Sequence, residues 1–269
     1  MFGLIAGQGD LPLQIIEYFL RNEIPFVCAG IEDAKNDTIL EMQNITVKEL
    51  PLGQIGALID YFKSFGVKQV VFAGSVKRPN IFNIKFDSIG KKILKDIGFS
   101  LFRGDDGLLS TIVNFFEEEG FHVVSAKDIL KDLTLEPGIL TIHQPTENDD
   151  KDIDFGIHLL KEMSKLDIGQ SVIIENGIVL GIEAIEGTKE LIERVAHLKR
   201  TTDSGVLIKM AKVNQSFKID LPTIGVETIK SLHQSNLKGI AIESIGTQVL
   251  DKDDVIQKAN DLGIFFKVF

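Results

Sequence analysis

The 269-residue chain has a single cysteine, Cys28, and its basic residues are outnumbered, with 29 lysines and arginines against 39 aspartates and glutamates and a net charge of −10. One cysteine inside an apolar run excludes a disulfide framework and points to a reducing compartment. The deficit of positive charge argues against a general nucleic-acid binder, whose affinity rests on neutralising phosphates. It leaves room for a small local basic pocket. Long apolar runs are missing as well: nothing approaches the roughly 18 residues of a spanning helix, and "VIIENGIVLGIEAI" is broken by Glu175 and Glu183. "MFGLIAGQGD" lacks the basic start of a signal peptide, so the expectation is a cytoplasmic protein. The five histidines are scattered without metal-ligand spacing, which argues against zinc. No "GxSxG" elbow occurs and Cys28 reads as buried, so acyl transfer through a nucleophile has no support.

What is present is ordinary for a soluble globular protein: 44% hydrophobic and 25% charged residues, in a chain long enough for one large core or two modest ones. The first half alternates short apolar runs with helical patterns, as a parallel sheet with crossover helices does. Strands are expected at 2–6, 24–30, 67–74 and "FHVVS", with helices after "GQGDLP", in "LGQIGALIDYFKSFG" and in "DGLLSTIVNFFEEEG". The rhythm breaks at "LTLEPGILTIHQPTENDDKD", where Pro137, Pro145 and an acidic stretch mark a boundary. The expected division is a Rossmann-like domain at 1–133, a linker at 134–147 and a second α/β domain at 148–269. That second domain should hold a helix at 153–166, neighbouring strands "QSVIIENG" and "IVLGIEA", and a helix from Lys189. A strand "VLIKMAK", a helix at 224–235, a strand "GIAIES", a helix at 252–262 and a closing strand "IFFKV" should follow.

Several stretches could carry chemistry. "GQGDLP" puts Gly7, Gly9 and Asp10 directly after the first strand, where glycines allow close backbone approach and a helix N-terminus attracts phosphate. The usual dinucleotide fingerprint has a third glycine where this chain has Pro12, so a tight strand–helix turn remains an equal reading. "AGSVKRPN" brings Gly74, Lys77 and Arg78 to the carboxyl end of the third expected strand, where open α/β sheets bind ligands; a solvated basic loop is the alternative. In "RGDDGLL", Asp105 and Asp106 stand at a helix start, where one caps and the other could accept a hydrogen bond from a ribose or base. "EAIEGT" ends a strand with Glu183, Glu186, Gly187 and Thr188; Thr188 reads as a helix N-cap, and a carboxylate there could join a metal site. In "IKMAKVNQSFKIDLPTIG", Lys209, Lys212 and Lys218 precede Asp220, which Pro222 sets at an extended strand end. A fixed carboxylate with lysines nearby suits Mg²⁺-assisted phosphoryl chemistry. On a regular strand Lys209 and Lys212 point to opposite faces, so they converge only if the strand ends or bulges near Ala211. Solvated lysines and a turn-forming aspartate explain the same residues equally well.

Taken together, "IAGQGDLP", "GSVKRP", "GDDGLL", "DIGQSVIIENGIVLGIEAIEGT", "GVLIKMAK" and "DLPTIG" followed by "GIAIES" resemble the UDP-2,3-diacylglucosamine pyrophosphatases of the alphaproteobacterial type along nearly the whole chain. The resemblance implies hydrolysis of an acylated sugar nucleotide to UMP and 2,3-diacylglucosamine 1-phosphate on the lipid A pathway. It also implies a nucleotide-binding N-terminal domain, a C-terminal domain for the acylated sugar phosphate, Mg²⁺ dependence and a homodimer. It makes Asp220 the essential carboxylate, with Glu183 a candidate second metal ligand and Lys209 and Lys212 phosphate partners. Gly7, Gly9, Asp10, Gly74, Lys77, Arg78 and Asp106 become the nucleotide side, and Gln170, Glu186, Gly187 and Thr188 line the substrate cleft. The family's proline or glycine after the "KMAK" lysine and arginine before "DLP" are here Val213-Asn214 and Lys218-Ile219, so no arginine role carries over. Acyl chains need an apolar groove, for which "ILTI", Phe155, Leu159 and "IFFKV" are candidates, although such stripes more often form core. Loose peripheral membrane association, at the inner face of the inner membrane, is the most that the absence of a basic amphipathic helix allows. Two other readings stay open: a nicotinamide-dinucleotide oxidoreductase using Glu32 or Asp33 on a ribose, and a non-enzymatic nucleotide-binding regulator.

Overall fold

The computed structural model describes residues 1–76, 83–97, 105–201, 204–212 and 221–269. The chain divides into two compact units, Met1–Leu130 and Lys131–Phe269.

In the first unit the elements are β1 (Phe2–Ala6), α1 (Leu11–Arg21), β2 (Phe26–Ile31), α2 (Asp37–Leu40), β3 (Val47–Leu50), α3 (Ile55–Ser64), β4 (Gln69–Ala73), α4 (Ser88–Ile97), α5 (Asp105–Glu118), β5 (His122–Val124) and α6 (Ala126–Ile129). The sheet has the order β3-β2-β1-β4-β5 and every pairing is parallel. This is the Rossmann-like arrangement expected, with the order reversing on either side of β1. β3 and α4 were not expected from the sequence. α1 buries Ile15, Ile16 and Phe19 at helical spacing. Phe19 stacks between Phe2 and Phe26 with ring centroids 4.9 and 5.2 Å apart. Each such aromatic contributes about 1.5–3 kcal/mol by leaving water. Cys28 is buried in this core, and burial pushes its thiol up to about 12, which keeps it protonated and inert.

In the second unit the elements are β6 (Gly138–Ile139), α7 (Glu147–Ser164), β7 (Ser171–Glu175), β8 (Ile178–Ile182), α8 (Gly187–Val195), β9 (Val206–Lys209), β10 (Thr223–Ile224), α9 (Val226–Gln234), β11 (Gly239–Ile242), β12 (Gln248–Val249), α10 (Lys252–Asp261) and β13 (Phe265–Val268). Its sheet is mixed, in the order β6-β13-β11-β9-β7-β8. β9, β11 and β13 are parallel, while β7 runs antiparallel to both β8 and β9. Side chains alternate between the two faces. Ile173, Leu207, Ile240 and Phe266 pack with α8, α9 and α10, whereas Val172, Ile174, Val206, Ile208 and Phe265 pack with Ile153 and Leu160 of α7. "IFFKV" is therefore core: Phe265 and Phe266 are buried, while Ile142 and Phe155 are exposed. α7 comes close enough to the sheet that a Cβ on Gly156 would sit 2.8 Å from Ile208.

Two expectations shift for local reasons. The stretch 134–147 is not a free connection, because it carries β6, which pairs antiparallel with β13 inside the second unit. α7 starts at Glu147 rather than 153 because Thr146 caps it: the Thr146 amide and hydroxyl donate to Asp149 Oδ2 at 2.7 and 2.6 Å, and the Asp149 amide returns a bond to the Thr146 hydroxyl. Lys238 donates to the same carboxylate at 2.6 Å. Burial pushes the Asp149 carboxyl up, but the bonds from Lys238 and Thr146 outweigh it and hold the group below its usual range.

Candidate active site

In the first unit the loops after β1 and β4 flank the point where strand order reverses. They are joined backbone to backbone: the Gly7 amide donates to the Ala73 carbonyl at 2.8 Å, and Gln8 and Ser75 exchange two bonds of 2.9 Å. Glycine is required on both sides of this approach. A Cβ on Gly7 would lie 2.6 Å from the Ser75 carbonyl oxygen, and one on Gly74, at φ +85°, would lie 2.6 Å from that of Gln8. The amides of Gly7 and Gln8 are thus committed within the protein, and the part of the glycine loop left for a ligand is Gly9 and Asp10 at the start of α1, both exposed. Asn36 braces that part by donating to the Gly9 carbonyl at 2.9 Å. Asp33 receives the Leu52 amide at 3.4 Å. Lys77 and Arg78 lie outside the described residues, as does the side chain of Asp106, whose backbone sits in the first turn of α5.

In the second unit Gln170, Glu183, Thr188, Lys209 and Lys212 gather where the interior strand β9 ends. β9 stops at Lys209, so "MAK" is not strand, and the alternation that would have sent Lys209 and Lys212 to opposite faces no longer applies. Lys209 is 3% exposed. Its ammonium donates to Thr188 Oγ1 at 2.6 Å and to Ser171 Oγ at 3.3 Å, and lies 3.8 Å from Glu183 Oε2. Thr188 passes the contact on, donating to Glu183 Oε1 at 3.2 Å. Thr188 is therefore not the helix cap expected of it: Glu186 occupies the cap position of α8, and the threonine hydroxyl links lysine to carboxylate. A buried ammonium needs such partners, since an unpaired interior charge is very costly. The second carboxylate oxygen of Glu183, Oε2, is buried and receives no hydrogen bond among the described residues.

The loop before β7 lines the same end of β9. A Cβ on Gly169, at φ +59°, would lie 2.1 Å from the Glu183 carbonyl oxygen, and Gln170 accepts the Met210 amide at 3.0 Å. Lys212 forms an ion pair with Asp167 of this loop. Glu243, after β11, accepts the Ala211 amide at 3.0 Å and pins the chain between the two lysines. Asp167 and Ser171 lie in "DIGQSVIIENGIVLGIEAIEGT" and Glu243 in "GIAIES", stretches that carry the resemblance, but the sequence singled out none of the three as a site residue. Glu186 is turned to structural work, receiving Arg194 at 2.8 Å and the Ala184 amide at 3.2 Å. Its own amide, then Arg194, holds its carboxyl below the usual range. Gly187, at φ +82°, has open space where a side chain would be. Asp220 lies outside the described residues. The segment that follows it is anchored, with Leu221 buried and the Pro222 carbonyl accepting the Gln248 amide at 2.7 Å. Among the described residues no three His, Cys, Asp or Glu side chains converge as a metal cage, and no helix is long and apolar enough to cross a membrane.

Comparison with known proteins agrees with this layout. The model of the LpxI N-terminal domain matches residues 1–133 and that of the LpxI C-terminal domain matches residues 136–267. The chain is 33% identical over 269 residues, covering 98% of its own length and 95% of the relative's, to a protein of Caulobacter vibrioides named UDP-2,3-diacylglucosamine pyrophosphatase LpxI. With both domain models and a full-length relative matching in the same order, the chain belongs to the LpxI family.

Proposed function

We propose that this protein hydrolyses the pyrophosphate of UDP-2,3-diacylglucosamine to UMP and 2,3-diacylglucosamine 1-phosphate in lipid A biosynthesis. The observation that carries the proposal is the 33% identity across 98% of the chain to a relative named for that activity. A water oxygen bonds to one phosphorus as the bridging P–O bond breaks, and the proton from water passes to base or solvent. Lys209 and Lys212 place positive charge beside the phosphates, where charge develops as the bond breaks. Asp220 orients the attacking water, and Gln170, Gly187 and Thr188 line the sugar-phosphate side.

Magnesium is part of the proposal. Glu183 supports it, because its Oε2, 3.8 Å from the Lys209 ammonium, receives no hydrogen bond among the described residues and Mg²⁺ takes one or two carboxylates together with substrate oxygens. Glu183 and Asp220 would hold the ion, which when bound polarises the phosphorus centre. A homodimer and loose peripheral membrane contact complete the reading, to be measured by analytical ultracentrifugation and vesicle sedimentation. The deciding experiment is UMP release from UDP-2,3-diacylglucosamine by the purified chain with Mg²⁺, with and without chelator. Release that the chelator stops is expected; no release in any divalent ion overturns the proposal.

A further inference from the structure

Asp167 has a left-handed backbone, φ +57°, of the kind that aspartate and asparagine tolerate at a helix end, but its charge is disfavoured there on two counts. It follows Lys165, the C-cap of the 18-residue helix α7, so its negative charge faces the negative end of the helix dipole. Its side chain is also only 18% exposed, away from the water that would otherwise solvate it. What offsets these costs is Lys212, whose side chain is 9% exposed and forms an ion pair with the Asp167 carboxylate.

The contact links two segments already held in fixed alignment. Gln170 accepts the Met210 amide and Gly169 packs against the Glu183 carbonyl, so the loop carrying Asp167 runs beside the segment carrying both lysines. A charge kept at a position where asparagine or glycine would turn the chain equally well points to a task beyond turning it. We propose that Asp167 is a positioning residue: it fixes the Lys212 ammonium for the phosphate chemistry, without itself touching substrate. This rests on the hydrolase reading above for what Lys212 does, and on geometry alone for what holds Lys212.

The experiment uses the full chain with Asp167→Asn, Asp167→Gly, Lys212→Met and the Asp167→Asn/Lys212→Met double variant. Asparagine and glycine both keep the left-handed turn, so a turn-forming role predicts full activity in both. Positioning predicts a fall in kcat of about 10- to 100-fold with KM little changed, the range that misplacement by about 1 Å brings. It also predicts that the double variant is no slower than Lys212→Met alone. A second readout needs no activity: pulse labelling of lysines with an amine-reactive reagent, read by mass spectrometry, should modify Lys212 several-fold faster in Asp167→Asn than in the parent. Unchanged labelling, activity within twofold, or multiplicative losses in the double variant would each overturn the proposal. A parent protein that releases no UMP while its Lys212 labelling still depends on Asp167 would instead sink the hydrolase reading and leave the positioning contact standing.

Discussion

Replacing both members of the Lys209–Glu183 pair should harm the second unit no more than replacing one. The separation of 3.8 Å corresponds to an attraction of about 4 kcal/mol at an effective dielectric of about 20. Desolvation of both groups consumes much of this, so the pair as a whole contributes little. The exposed fractions of the two side chains, 4% and 12%, mean that a charge left alone there is poorly solvated. Lys209→Met strands the Glu183 carboxylate and Glu183→Gln strands the ammonium; each should cost about 3 kcal/mol, the lower part of the range for breaking a buried pair. The double variant should cost about 3 kcal/mol or less, a coupling of about 3 kcal/mol. Both tyrosines, Tyr18 and Tyr61, lie in the first unit, so their fluorescence does not report on this site. Native-state hydrogen exchange of peptides from β7 and β9 measures the local opening free energy directly. An additive loss near 6 kcal/mol in the double variant would refute the reasoning, because it would mean the two charges do not sense each other.

Asp220→Ala is expected to abolish UMP release while substrate still binds, checked by turnover and by isothermal titration; normal turnover removes Asp220 from the mechanism. Gly74→Ala should destabilise the first unit by about 2–4 kcal/mol, from a left-handed residue and two strained backbone bonds, and tyrosine fluorescence during urea unfolding reads it. Asp149 has its carboxyl held low in the folded state. Its contribution is therefore present above the unfolded value of about 3.9 and disappears as pH falls through the lower folded value. Asp149→Asn should flatten the stability–pH curve between about pH 5 and pH 2, measured by urea midpoints across that range.

Where hydrophobic spacing was regular, the sequence was readable. "SVIIE" and "GIAI" are buried strands with both faces covered, and the stripe of Leu191, Ile192 and Val195 faces the core as its period requires. β3 escaped because "VKEL" is a sheet-edge strand with Lys48 and Glu49 exposed, so only its ends carry an apolar signal. The early start of α7 was written in "TEND", a threonine three residues before an acid, but the acidic run reads as a linker unless the capping box is recognised. The site was legible as residue types and not as contacts. Glu183 and Thr188 share one short stretch, but Lys209 lies 21 residues beyond Thr188 and meets them only because β7, β8 and β9 are neighbours. Asp167 opens "DIGQS", yet nothing local marks its carboxylate as the partner of a lysine 45 residues further on.

The period-two division of the second sheet has a consequence for how that unit comes apart. Leu207 and Ile208 are adjacent in sequence yet serve opposite layers, one under α8–α10 and the other under α7. Shaving the first should loosen three helices and spare the fourth, and shaving the second should do the reverse. A one-residue walk along β9 thus offers two independent handles on the same slab of protein, each able to slacken one wall beside the Lys209 end of the strand while the opposite wall stays taut.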